Sequence, residues 1–151
     1  MFTKNADESI RALAEVALIA QIRHWLDAVT PTTPQGMGDH CALVDWPKGL
    51  MQILTTDSLS YSQHFDDSLS AREAGAKLIK RNLSDIAAMG GQPGEALLNL
   101  LCGSDLRTDW LAAFFDGICN ACQEYDLPIV GGDISTLPNG RLQQFSVSLG
   151  I

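Results

Sequence analysis

Apolar residues recur at helical intervals early in the chain. Ile10, Leu13, Ala17, Ile22, Trp25 and Leu26 predict a helix from about Asp7 to Ala28. Residues 29–38 carry prolines, glycines and threonines and read as a loop. Cys41-Ala-Leu-Val44 and Leu50-Met-Gln-Ile-Leu-Thr55 are two short apolar runs separated by Pro47 and Gly49, which suits a hairpin of buried strands.

The next helix opens at Ser70. With Glu73 three residues on, Ser70 has the spacing of a capping box, in which each side chain satisfies a free backbone N–H. Leu78, Ile79, Leu83, Ile86 and Met89 supply its apolar face, and Gly90-Gly91 with Pro93 stop it. Ala96–Cys102 reads as a strand. A further helix runs from about Thr108 or Asp109 to Tyr125, with Leu111, Phe115, Ile118, Cys122 and Tyr125 on one face. Leu127-Pro-Ile-Val130 reads as a strand ended by Gly131-Gly132. From Gln143 to Ile151 apolar and polar residues alternate, as in a half-buried strand. The order is helix, two strands, helix, strand, helix, strand, strand. That order predicts one α/β domain: a mixed sheet with helices packed on one face.

Composition narrows the function. The 151 residues are 46% hydrophobic and 19% charged, enough for a sizeable core and unlike a disordered tail or a disulfide miniprotein. A net charge of −8 argues against nucleic-acid binding, which needs Lys and Arg to neutralise phosphates. It leaves carboxylates available to hold cations. Glu15, Gln21 and Arg23 interrupt the N-terminal apolar stretch, so no signal peptide is expected, and no run is long enough to span a membrane. Four cysteines without a secretory signal are weak evidence for disulfides. The expectation is a cytoplasmic protein.

Several common motifs are absent. There is no P-loop, no HExxH and no GxSxG, and Gly36-Met-Gly38 lacks the third glycine of a dinucleotide fingerprint. Aspartates at the ends of elements stand out instead. Asp57 ends the strand read before it, Asp133 follows Ile129-Val-Gly-Gly132, and Asp39 precedes a strand. Carboxylates beside glycines suit a magnesium–phosphate site, because magnesium takes oxygen ligands and keeps several waters; Asp and Gly are also ordinary turn residues. Asp85 lies inside a helix among Leu83, Ile86 and Met89, where a carboxylate needs a partner or an exposed position. Cys119 and Cys122 form a CxxC on a helix with no second pair nearby and read as core. His64 follows the Asp57 loop.

Read together, five segments resemble the thiamine-monophosphate kinases of the AIR-synthase-like, PurM-type ATP-binding superfamily. They are Gly38-Asp-His-Cys-Ala-Leu-Val44, Thr55-Thr-Asp-Ser-Leu59, His64-Phe65, Asn82-Leu-Ser-Asp-Ile-Ala-Ala-Met-Gly90 and Gly131-Gly-Asp133. The resemblance spans about residues 36–135. It implies a PurM N-terminal-domain-like fold that dimerises through its strands, with magnesium and ATP bound near the interface. By motif position Thr55, Thr56, Asp57, Asp85 and Asp133 look like magnesium ligands, with Asp39 or His40 a further candidate. Gly132 and Asp133 look like part of the ATP site, and His64 like a contact to thiamine monophosphate. The implied reaction moves the γ-phosphoryl group of ATP to thiamine monophosphate, giving thiamine diphosphate.

Two departures from the family pattern bear on this. The pattern has two consecutive aspartates after Gly38, and the second is His40 here, a poorer magnesium ligand. The family's C-terminal domain also has no room in 151 residues, so the expectation is a single N-terminal domain over 1–151. The alternatives are a non-catalytic dimerising or nucleotide-binding module of the same fold and a related small-molecule phosphotransferase.

Overall fold

The computed structural model describes residues 1–32, 52–137 and 145–151. Its elements are helix α1 (Glu15–Trp25), strand β1 (Thr56–Ser60), helix α2 (Ala71–Ala88), strand β2 (Ala96–Gly103), helix α3 (Thr108–Tyr125), strand β3 (Ile129–Leu137) and strand β4 (Phe145–Gly150). The strands form one mixed sheet in the order β1-β4-β2-β3; β2 and β3 run parallel, and β4 is antiparallel to β1 and β2. Burial alternates along β2: Leu98, Leu100 and Cys102 enter the core, while Leu97 and Leu101 remain exposed on the other face. Helix α2 packs on β1 and β4, and α3 packs on α2 and reaches β4 through Phe114, so the helices lie on one side of the sheet, as predicted.

Helix α2 begins and ends as the sequence indicates. The Glu73 N–H donates to Ser70 Oγ at 3.3 Å, and the Ser70 N–H donates to Glu73 Oε2 at 2.9 Å. At the other end Gly90 adopts φ +69°. The Gly91 N–H reaches the Ile86 carbonyl at 2.9 Å and the Gly90 N–H reaches that of Ala87 at 3.0 Å. That is a Schellman stop, and its left-handed residue favours glycine. Along α3, Leu111, Phe115, Ile118 and Cys122 are buried as expected, but Tyr125 is 39% exposed.

Two glycines set the distance between α2 and α3. A Cβ on Gly75 would run into the backbone carbonyl of Phe114, and one on Gly117 into that of Arg72. The helix backbones therefore touch. Above this crossing, Phe114 and Phe145 pack with ring centroids 5.1 Å apart, as do Trp110 and Phe145.

Three elements differ from their sequence expectation. The first helix is shorter than 7–28, because two 3-10 turns, Ala6–Glu8 and Ile10–Ala12, precede α1. Ser9 is extended and bridges Arg107, and the Ile10 N–H donates to the Leu106 carbonyl at 3.0 Å. Backbone pairing with the loop before α3 displaces the helix that periodicity suggested. The strand read at 50–55 is instead β1 at Thr56–Ser60, a polar stretch in which only Leu59 is fully buried. Its pairing with β4 decides this, and Leu54 is 72% exposed. The expected strand at 41–44 and residues 50 and 51 lie outside the described residues. Finally, Gly131 and Gly132 do not end a strand. β3 continues through them to Leu137, so Asp133 lies within it. At Gly132 a Cβ would meet the Leu98 carbonyl, so glycine there permits close pairing with β2.

Candidate functional site

Alternation along β1 sorts its residues onto two faces. Leu59 points into the core, so Thr55 and Asp57 lie on the helix-covered face and Thr56 on the open one. Helix α2 crosses behind β1 and supplies side-chain partners on that side. Asn82 is 0% exposed, and its side chain joins the two elements. Its Oδ1 accepts the Asp57 N–H at 2.8 Å, and its Nδ2 donates to the Leu78 carbonyl at 3.0 Å. A buried amide with both ends satisfied fixes the position of β1 on the helix.

One turn along, Asp85 is solvent-exposed, so its apolar sequence neighbours do not enclose it. Its Oδ2 accepts the Thr55 hydroxyl at 3.0 Å. Asp57 is held differently. Arg81 Nε donates to Asp57 Oδ2 and Arg81 Nη2 to Asp57 Oδ1, each at 2.8 Å, while the Ser58 N–H donates to Oδ1 at 2.9 Å. The Arg81 guanidinium keeps the Asp57 carboxyl below the usual aspartate range.

His64 turns back onto β1, where its Nδ1 accepts the Ser60 N–H at 2.9 Å. An accepting Nδ1 in the neutral ring leaves the proton on Nε2. Lys77 Nζ donates to the His64 carbonyl at 2.6 Å and ties this turn to α2. Lys77, Arg81 and Asp85 thus form one stripe along α2 beside Thr55, Asp57 and His64.

Asp133 stands apart. Asp57 pairs with Leu149, Leu149 with Leu98 and Leu98 with Gly132, so Gly132 lies three strands from Asp57 in one row. Three strand spacings are about 14 Å. Asp133 itself aligns with Asn99 on the open face, accepting the Ser135 hydroxyl at 3.3 Å. One group of expected ligands, Thr55 and Asp57 beside α2 and Asp85 on it, therefore lies on the helix-covered side. The other, Thr56 and Asp133, sits on the open face. Asp39 and His40 lie outside the described residues.

Among the described residues no three His, Cys, Asp or Glu side chains converge closely enough to hold a metal ion. By chemistry the donors nonetheless suit magnesium, since carboxylate and hydroxyl oxygens are the hard ligands it takes. The Thr55–Asp85 pair brings two of them within hydrogen-bond distance. The CxxC contributes nothing of this kind: Cys119 and Cys122 are buried, the Cys119 thiol donates to the Trp25 carbonyl at 2.8 Å, and burial pushes the Cys122 thiol up to about 12. A cavity of about 440 Å³ lies elsewhere, between α1 and the start of α3. Its Arg107 is closed off by ion pairs with Asp109 and Glu8.

Reading the sequence missed Arg81 and Lys77 and took Asn82 only as a neighbour of Asp85. The signal for the stripe is the i, i+4, i+8 spacing of Lys77, Arg81 and Asp85 in a helix that follows Thr-Thr-Asp.

The family described as AIR synthase related protein, N-terminal domain, matches residues 38–151. The chain belongs to that family. The match takes in β1 to β4 and every expected site residue, and leaves α1 outside it. The chain is 31% identical over 138 residues to the thiamine-monophosphate kinase of Synechococcus elongatus, covering 91% of this chain and 40% of that protein. A solved thiamine-monophosphate kinase from Stenotrophomonas maltophilia matches with a TM-score of 0.66 and 33% identity, over 91% of this chain and 41% of that one. The solved complex of AaThiL with AMPPCP and TMP matches 99% of this chain and 43% of that one, with a TM-score of 0.63 and 31% identity. The resemblance to thiamine-monophosphate kinases is therefore borne out. The chain spans 36% to 41% of the length of the curated relatives it matches.

Proposed function

We propose that this chain is the magnesium- and nucleotide-binding N-terminal domain of an enzyme that transfers the γ-phosphoryl group of ATP to thiamine monophosphate. The observation that carries the reading is the match over 99% of the chain, at 31% identity, to a protein solved with AMPPCP and TMP. In the reaction a phosphate oxygen of the acceptor forms a bond to the γ-phosphorus. The bond from that phosphorus to the β,γ-bridging oxygen breaks, and ADP leaves. The acceptor oxygen is already anionic, so the chemistry demands positioning and charge neutralisation more than a strong base.

Thr55, Asp57 and Asp85 would hold magnesium on the helix face, and Thr56 and Asp133 on the open face, with Asp39 the better of the two N-terminal candidates because His40 offers an imidazole. Bound magnesium neutralises phosphate charge and aligns donor and acceptor. The chain's own residues do the rest. Asn82 fixes β1, so that Thr55 and Asp57 keep their places relative to Asp85. The Nε2 edge of His64 meets the thiamine phosphate, and Gly132 and Asp133 on β3 form part of the nucleotide site. The test is turnover of thiamine monophosphate and ATP by the protein as its gene encodes it.

The open face of the sheet fits a second copy of the chain. Leu97 and Leu101 are 52% and 39% exposed there, while the opposite face is covered by helices. Exposed apolar residues grouped on a sheet face mark an interface. Sedimentation is expected to show a dimer, and a Leu97→Lys, Leu101→Lys double variant to sediment as a monomer; a monomeric parent protein would contradict the interface. No helix among the described residues is long and apolar enough to cross a membrane. We place the protein in the cytoplasm, where free thiols such as Cys102 persist, with cell fractionation as the check.

A further inference from the structure

We propose that Arg81 is a built-in counter-cation for Asp57: it holds the carboxylate that a divalent cation would take, so cation binding requires its release. This rests on the reading of Asp57 as a cation ligand. Both carboxylate oxygens are engaged by the guanidinium, through two 2.8 Å bonds in the fork geometry that suits arginine and carboxylate. The side chains are 33% and 31% exposed, so solvent screens the pair and a cation can reach it.

Release of Arg81 leaves the carboxylate where it is. The Asp57 backbone N–H is held by Asn82, and its Oδ1 also accepts the Ser58 N–H. β1 is further fixed by five residues of pairing with β4. Arg81 therefore blocks the ligand without being what positions it.

The released guanidinium has a second use. Arg81 is rooted in α2 one turn from Asp85, so it stays beside the site it has vacated. Phosphate offers the same two-oxygen edge as carboxylate, and arginine binds either in the same fork. Arg81 accordingly exchanges Asp57 for a phosphate of the incoming substrate. A free cation is bound weakly, and a cation arriving with a polyphosphate is bound well. The site thereby favours the cation–nucleotide complex over either component alone.

Free Mn2+, followed by its electron paramagnetic resonance signal, is the probe, with near-ultraviolet circular dichroism to establish that each variant is folded. Removing a unit charge beside a divalent cation is expected to tighten free Mn2+ binding about tenfold in Arg81→Gln. Arg81→Lys, which keeps the charge but loses the fork, is expected to tighten it about threefold. Asp57→Asn is expected to weaken it. If Asp57→Asn weakens binding while Arg81→Gln leaves it unchanged or weaker, Arg81 does not compete, and the proposal fails while Asp57 stands as a ligand. If Asp57→Asn binds Mn2+ like the parent, or neither binds it, both readings fail together. Should Arg81→Gln not fold, Arg81→Lys decides, and unchanged affinity in it overturns the proposal.

Discussion

Replacing Asp57 and Asp85 together with asparagine is expected to lower turnover of ATP and thiamine monophosphate by about 100-fold or more. Each substitution keeps the shape of the side chain and removes a negative charge. Electrostatic positioning is where phosphoryl-transfer catalysis resides, and loss of one such contact costs two or three powers of ten in comparable sites. The loss should appear in kcat and persist at saturating ATP. A folding defect is not the expected cause. Asp85 is exposed, and the Asp57–Arg81 pair is a third exposed, so its loss costs at most about 1 kcal/mol after solvent screening. The Asn82 bond to the Asp57 backbone survives the change, because it does not involve the carboxylate. Thermal denaturation run beside the assay checks this. Unimpaired turnover in a folded double variant would sink the site assignment.

Gly117→Ala is expected to destabilise the domain by about 3 kcal/mol. The added methyl would occupy the space of the Arg72 carbonyl across the α2–α3 crossing. A backbone carbonyl cannot swing aside as a flexible side chain can, so the helices must separate. Separation reaches the packing around Phe114 and the buried faces of both helices, including Leu78 and Ile118. For a domain of this size the melting temperature should fall by about 10 °C. Gly75→Ala should have the same effect, since its methyl would meet the Phe114 carbonyl from the other side. A change of under 2 °C in both variants would mean that the helices do not cross this closely.

What could be read in the sequence was local. Ser70 and Glu73 form their capping box three residues apart, and Gly90 turns left-handed at the end of the same helix. Both follow from neighbours in the chain. Phe145, Val147 and Leu149 alternate into the core as their pattern says. What escaped was set by distant pairing. Polar Thr56–Ser60 becomes a strand because β4 lies beside it, and Ser9 leaves the helical pattern because Arg107 bridges it. The site divides the same way. Thr55, Asp57 and Asp85 could be picked out by motif, and the structure sets Thr55 against Asp85 and Asp57 against Arg81 of the same helix. That Asp57 is taken by Arg81 follows from β1 docking on α2 through Asn82, which no spacing reveals.

Under the proposed function the nucleotide's γ-phosphoryl group goes to thiamine monophosphate. This transfer is tested most directly by incubating the protein as its gene encodes it with ATP, magnesium and thiamine monophosphate and measuring both products. Thiamine diphosphate and ADP are expected in equal amounts, with neither formed when magnesium is chelated. A folded protein that binds ATP yet forms no thiamine diphosphate would contradict that function and leave a nucleotide-binding module in its place.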